Sequence, residues 1–217
     1  TSAAEAAGNS AITLPSAVSL YSLSATIWRS NFQWTVPAKF LAAAMLSWII
    51  AGLQGVVNAT IAFIATIHNT MWIVGHFHNM ALLNIGLVIF AGIYAFLPRF
   101  TGKQWYSESL GNAHLWLTFI GGYGMSILLL IQGLDGAPRR YAVMPERYDT
   151  LTQLTIPFVL MTAFGQVIFA YNLVQSLRGK QRAARDSSLR SVGLTASMLG
   201  AAAVIGLTAV VVPSEIT

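Results

Sequence analysis

The sequence predicts an all-α fold, a polytopic transmembrane helix bundle of about six spans, and three observations support this prediction. Hydrophobic residues make up 55% of the chain and charged residues only 9%. The mean hydropathy of +0.63 is too high for an ordinary soluble domain. The charged residues are also clustered, and uncharged windows lie between the clusters at residues 6–28, 40–98, 109–134, 150–177 and 191–214. Soluble helices would need charged faces at the helical period, and these windows carry none.

Each window has the length of one or two membrane spans. One span needs about 20 residues, so four windows fit one span each, and the window 40–98 fits two with a short turn within residues 58–69. The predicted spans are 9–28, 38–58, 70–97, 112–133, 151–176 and 191–212. We expect a single membrane domain over residues 1–217. The chain opens without Met or a basic leader, and we expect it to be the downstream part of a longer polypeptide.

The basic residues predict the orientation of the spans. Nine of the twelve Lys and Arg residues fall in the loops after spans one, three and five, which all face the same side. Cytoplasmic loops carry the excess of Lys and Arg, so this side is predicted to be cytoplasmic and the third span to run inward. The net charge of +5 follows from these loops. We therefore expect contacts with membrane lipid and no nucleic-acid partner.

Three histidines, His68, His76 and His78, occur in one string near the start of the third span. On an α-helix each residue advances by about 100°, so His76 and His78 project onto opposite faces, while His68 returns to within about 80° of His76 two turns earlier. Strongly polar side chains deep in a membrane are costly and usually functional. The pattern favours axial ligands for two haems that flank one helix. The alternative is that the histidines only bond neighbouring helices.

A pair of arginines, Arg139 and Arg140, lies on the outer side, where basic residues are otherwise scarce. Guanidinium groups bind carboxylates through paired, charge-assisted hydrogen bonds, and haem propionates are carboxylates held at the membrane edge. The alternative is ion pairing with Asp135, Glu146 and Asp149 in a solvated loop. Because the histidine-bearing span enters from this same side, we favour propionate binding.

Two strings far apart in the chain resemble one known family. They are His68-Asn-Thr-Met-Trp-Ile-Val-Gly-His-Phe-His78 and Gly136-Ala-Pro-Arg-Arg-Tyr141, and they are similar to the C-terminal half of subunit I of the haem–copper oxygen reductases, the cytochrome c and quinol oxidases. The six spans would then correspond to helices VIII to XIII of that subunit. The His-Asn-Thr segment before Trp, and Leu14-Pro-Ser-Ala-Val-Ser19 on the first span, look most like the B-type branch.

The resemblance implies a role for each histidine. By position, His76 matches the axial ligand of the high-spin, oxygen-binding haem, and His78 matches one axial ligand of the low-spin haem. Phe77 lies between them, where the family has a residue that bridges the two haem edges. His68 matches an imidazole near the propionates of the high-spin haem.

The resemblance also extends to the arginines and to two serines. Arg139 and Arg140 match the pair that binds the haem propionates. Ser16 and Ser19 match hydroxyl positions along the B-type proton pathway. The alternative for both serines is a hydrogen bond to the carbonyl of the preceding helical turn, which is common for serines in membrane helices.

Some positions depart from the family pattern. Many relatives have Asp where this chain has Asn69, so we expect no strong Mg²⁺ site there. Ile64 replaces an Asp that relatives often place near the propionates, and the first span lacks the lysine of an A-type proton path. His114, at the inner edge of the fourth span, is expected to be an interfacial surface group rather than a ligand.

As a whole, the resemblance implies an oxidoreductase, a terminal respiratory oxidase that reduces O₂ to water and translocates protons. Two haems of A- and/or B-type would be bound here, and copper by the upstream half of subunit I, on the same or a separate polypeptide, without which no activity is expected. Further partners would be subunit II and the other oxidase subunits, with cytochrome c, a copper protein or quinol as electron donor. A prokaryotic plasma membrane is expected in preference to the mitochondrial inner membrane.

Two alternatives remain open at this point. One is a nitric oxide reductase of the same superfamily, with non-haem iron in place of copper. The other is a membrane protein without catalytic activity, either a di-haem electron carrier or a structural subunit.

Overall fold

The computed structural model describes residue 11 and residues 13–179 of the chain, and these residues form helices and their connections. The α-helices are α1 (Thr13–Trp28), α2 (Val36–Asn58), α3 (Ile61–Ile67), α4 (Met71–His78), α5 (Leu87–Thr101), α6 (Glu108–Leu134) and α7 (Asp149–Arg178). A π-helix at Asn79–Gly86 joins α4 to α5, and a 3₁₀ turn at Glu146–Tyr148 precedes α7. The predicted all-α fold is confirmed.

Four helices are long and apolar enough to cross a membrane: Val36–Asn58, Met71–Thr101, Glu108–Leu134 and Glu146–Arg178. They correspond to the second to fifth predicted spans, and the protein is an integral membrane protein. The first predicted span contains α1, a helix of 16 residues. The sixth predicted span, 191–212, lies outside the described residues.

Local sequence signals set several helix boundaries. Pro37 lies in the first turn of α2, where its missing N–H costs no hydrogen bond. The Ser107 hydroxyl caps α6 by accepting a hydrogen bond from the Leu110 N–H at 3.3 Å. Gly102 ends α5 in the left-handed conformation, with φ of 65°. These signals lie at the edges of the apolar runs, and the helices therefore coincide with those runs.

The segment between the second and third predicted spans is more structured than a short turn. It contains α3, and the chain then leaves the helical path before Met71. The Thr70 hydroxyl caps α4 by accepting a hydrogen bond from the Trp72 N–H at 3.3 Å. His68 therefore does not lie on the same helix as His76, and the prediction of its position from helical phase was wrong.

The main buried cluster lies where α2, α5 and α6 meet the π-helix. Phe40, Leu83 and Leu87 have no solvent exposure, and the ring of Phe40 stacks on Tyr94 with centroids 5.2 Å apart. Burial of side chains of this size stabilises the fold by about 1.5–3 kcal/mol each relative to water, and less relative to lipid. This cluster fixes α2 beside the third span.

Two glycines hold α4 against α6. A Cβ atom at Gly133 would lie 1.8 Å from the backbone nitrogen of Trp72, and one at Gly75 would lie 2.9 Å from the carbonyl oxygen of Ser126. The Ser126 hydroxyl donates a hydrogen bond to the Gly75 carbonyl at 2.7 Å. Small residues permit this close helix approach in membranes, and the approach fixes the position of the histidine-bearing helix.

Candidate functional site

Helix α4 carries both His76 and His78, and the two imidazoles make different contacts. The Nδ1 atom of His76 lies 3.1 Å from Oε1 of Gln54 on α2. The Nδ1 atom of His78 lies 2.7 Å from the carbonyl oxygen of Val74, one turn earlier on the same helix. Since residues two apart on a helix project about 200° from each other, the two rings lie on opposite faces of α4.

The hydrogen bonds of both histidines are suited to ligands of haem iron. A metal-ligating imidazole uses one ring nitrogen for the metal and donates its other N–H to a carbonyl, a carboxylate or water. His76 and His78 each place an oxygen acceptor at Nδ1. With Nδ1 protonated, the Nε2 atom of each ring carries a lone pair that is free to bind iron.

Two side-chain amides support His76, and the sequence analysis did not identify either of them. Oε1 of Gln54 accepts a second hydrogen bond, from Nδ2 of Asn79 at 3.0 Å. Asn79 is 1% exposed and is the first residue of the π-helix. Polar residues inside predicted spans were the available signal, because polar groups in a membrane are usually paired. The sequence did not show which helices would pair.

A cavity of about 530 Å³ lies beside α4. Its walls are formed by one face of α4 and by the segment that follows α6: Met71, Ile73, Val74, Phe77, Pro138, Arg139, Arg140, Tyr141 and Met144. The side chain of Phe77 is 63% exposed and meets the His78 ring edge-on, with centroids 6.1 Å apart.

Arg139 and Arg140 both line this cavity. Nε of Arg139 is buried and has no hydrogen-bond partner among the described residues. Burial lowers the pKa of Arg139, and the adjacent positive charge of Arg140 lowers it further. Arg140 has a left-handed backbone, with φ of 65°, and such strain concentrates at ligand-binding sites. An anionic group in the cavity would satisfy the free N–H and relieve the repulsion between the two cations.

The two strings that resemble the oxidase family are joined in space. Thr70 and Pro138 form an isolated antiparallel bridge. The Met71 N–H donates to the Ala137 carbonyl at 2.8 Å, and the Arg139 N–H donates to the Asn69 carbonyl at 3.0 Å. The arginine pair is therefore attached to the start of the histidine-bearing helix. His68 is exposed beside this junction.

Three other residues lie apart from this group. Ser16 and Ser19 are half-buried on α1, one turn apart on the same face, and neither lines the cavity. His114 has no solvent exposure, so the expectation that it is a surface group was wrong. Its Nδ1 atom lies 3.2 Å from Oη of Tyr94, and the Phe40 ring packs against it. The second turn of α6 faces the core, and the sequence alone did not reveal this.

Comparisons with known proteins agree on one family. The profile of the family described as cytochrome c and quinol oxidase polypeptide I matches residues 2–168. Cytochrome c oxidase polypeptide 1 of Halobacterium salinarum is 32% identical over 168 residues, which cover 77% of this chain and 28% of that protein. Cytochrome c oxidase subunit 1 of Corynebacterium diphtheriae is 28% identical over 169 residues, which cover 77% of this chain and 30% of that protein.

The chain thus spans less than a third of the length of these two relatives. Among solved structures, a chain of a haem–copper terminal oxidase dimer determined by cryo-electron microscopy is similar, with a TM-score of 0.63. The match covers 84% of this chain and 38% of that chain at 18% identity, which shows a shared fold.

Proposed function

This chain belongs to the cytochrome c and quinol oxidase polypeptide I family, and we propose that it is part of the catalytic subunit of a haem–copper terminal oxidase. The proposed activity is the reduction of O₂ to water, coupled to proton translocation, with electrons from cytochrome c, a copper protein or quinol. One observation carries the proposal: α4 presents two imidazoles on opposite faces, and each has an oxygen acceptor at Nδ1.

In this proposal His76 binds the iron of the high-spin haem and His78 binds the iron of the low-spin haem. When bound, the two haems, of A- and/or B-type, supply electron transfer and, with copper held outside this chain, O₂ reduction. The protein orients both rings through their Nδ1 hydrogen bonds. Phe77 is assigned to the contact between the two haem edges, because its largely exposed ring projects from the residue between the ligands.

Arg139 and Arg140 are proposed to hold haem propionates at the outer end of the cavity. The buried Nε of Arg139 has no hydrogen-bond partner within residues 13–179, and a charge-assisted hydrogen bond to a carboxylate would satisfy it. His68 is proposed to lie near the propionates of the high-spin haem, since it directly precedes Asn69, whose carbonyl accepts a hydrogen bond from the Arg139 N–H.

The remaining proposals concern the proton path, the branch of the family, and the membrane and subunits around the chain. Ser16 and Ser19 are proposed to take part in proton uptake from the cytoplasmic side, along the half-buried face of α1. We assign the chain to the B-type branch of the family because the two segments that contain these serines and His68 resemble that branch. Residues 1–217 are proposed to form one membrane domain in a prokaryotic plasma membrane, with the basic loops cytoplasmic. It would assemble with the upstream half of subunit I, with subunit II and with the other oxidase subunits.

Metal analysis and carbon monoxide binding test this function on the purified complex that contains the chain. We expect copper, haem iron, a haem that binds carbon monoxide, and oxygen consumption. Non-haem iron without copper would identify a nitric oxide reductase instead. Two haems that both fail to bind carbon monoxide would identify an electron carrier, and the absence of haem would leave a structural subunit.

The requirement for the upstream half has its own test. Residues 1–217 expressed alone, purified and supplied with haem should show no sustained oxygen consumption, because the copper ligands lie elsewhere. Sustained turnover by this polypeptide would contradict the proposed division of the active centre.

A further inference from the structure

We propose that Gln54 is a positioning residue for His76, which it holds through its side-chain oxygen and thereby sets how strongly Nε2 donates to the haem iron. This inference rests on the proposed function, since it assumes that His76 is an iron ligand. It concerns the hydrogen-bond partner of the ligand, which lies on a different helix from the ligand itself.

The geometry places two donors on one oxygen. Oε1 of Gln54 is 3.1 Å from Nδ1 of His76 and accepts from Nδ2 of Asn79 at 3.0 Å. Asn79 Nδ2 donates to the same oxygen, and this hydrogen bond helps to hold the Gln54 amide with Oε1 toward His76. An oxygen at this position requires the Nδ1–H tautomer of His76, and this tautomer leaves Nε2 free for iron.

Asn79 helps to fix the position of the Gln54 side chain. The bond to Gln54 is the side-chain hydrogen bond that Asn79 makes with the described residues, and its own Oδ1 has no partner among them. Both amides lie within membrane-spanning helices, where a polar side chain is costly unless it is paired. The pair therefore joins α2 to the start of the π-helix directly beside the ligand.

The two proposed ligands differ in the kind of acceptor that they use. His78 bonds a backbone carbonyl of its own helix, and side-chain substitutions leave that acceptor in place. His76 bonds a side chain on α2, which a substitution can remove. The high-spin haem can thus be tuned independently of the low-spin haem, and substitutions at Gln54 should separate the two.

The test compares two variants of the complete complex. Gln54→Met removes the acceptor and keeps a side chain of similar length, while Gln54→Glu keeps an oxygen acceptor. A better acceptor at Nδ1 makes the imidazole a stronger donor to iron. In Gln54→Met we expect the iron–histidine stretching band of the reduced high-spin haem to shift to lower frequency and its midpoint potential to rise. In Gln54→Glu the band should stay at or above the wild-type frequency.

Two controls show whether the effect is local. Gln166→Leu removes another glutamine amide that bonds across helices, to Thr118 at 2.9 Å, and the band should not move. The spectrum of the low-spin haem should remain that of the wild type in both Gln54 variants.

The outcomes separate this inference from the proposed function. An unchanged band and potential in Gln54→Met, with both haems bound, would overturn the role of Gln54 and leave the proposed function intact. A band that falls below the wild-type frequency in Gln54→Glu would also overturn it. If the wild-type complex shows no histidine-ligated high-spin haem, the proposed function itself fails.

Discussion

Replacement of Gly133 by alanine is expected to displace the histidine-bearing helix from α6. The added Cβ would lie 1.8 Å from the backbone nitrogen of Trp72 and 2.4 Å from its Cα. Both are backbone atoms at the start of α4, so no side-chain rotation can relieve the overlap. Met71, the preceding residue, is also fixed, because its N–H donates to the Ala137 carbonyl at 2.8 Å.

The size of the displacement follows from these distances. Ordinary van der Waals contact begins at 3.4 Å, so α4 and α6 must separate by about 1.6 Å at this point. Extra atoms forced into a well-packed interior cost about 1–3 kcal/mol, and more where the backbone has to move. The shift also moves the hydrogen-bonded junction that carries Arg139. We therefore expect a lower midpoint of thermal unfolding and less haem per purified complex.

The matched control is Gly52→Ala on α2, where an added Cβ has no atom of the described chain within 4 Å. Haem content from the pyridine haemochrome spectrum and thermal unfolding are measured on both variants and on the wild type. Wild-type haem content and thermal stability in Gly133→Ala would refute the close packing of α4 on α6.

Three further predictions use the same complex. Arg139→Gln should lower the haem content per complex more than Arg140→Gln does, because the Nε of Arg139 is buried and has no partner in the described part of the chain; equal effects would contradict the assignment. The double variant Ser16→Ala with Ser19→Ala should slow steady-state oxygen consumption while the haem absorption spectrum stays unchanged, and an unaltered rate would remove both serines from the proton path. Thr70→Val removes the cap of α4 and should destabilise the complex by about 0.5–2 kcal/mol, measured as a lower unfolding midpoint; no change would show that the cap contributes nothing.

The sequence predicted the spans well because span limits depend on charge and apolar runs alone. The predicted spans 38–58 and 112–133 correspond to Val36–Asn58 and Glu108–Leu134. The sequence could not predict α3 or the π-helix. Both lie within the uncharged window 40–98, and the backbone there is determined by packing between helices rather than by local propensity.

The candidate site was predicted in part, for a related reason. His76 and His78 lie on one regular helix, so their opposite faces follow from helical phase. His68 lies beyond the cap at Thr70, where the helical phase is interrupted, and its predicted direction was wrong. Gln54 was missed because its role depends on the packing of α2 against α4, and local sequence patterns do not determine which helices meet.

The most direct test of the account is a pair of ligand variants, His76→Ala and His78→Ala, each studied by reduced-minus-oxidised and carbon monoxide difference spectra of the complex. We expect His76→Ala to lose the haem that binds carbon monoxide and His78→Ala to lose the low-spin haem. His114→Ala, which removes a buried histidine on α6, should retain both signals and controls for loss of folding. Full two-haem spectra in both ligand variants, or exchanged losses, would contradict the account.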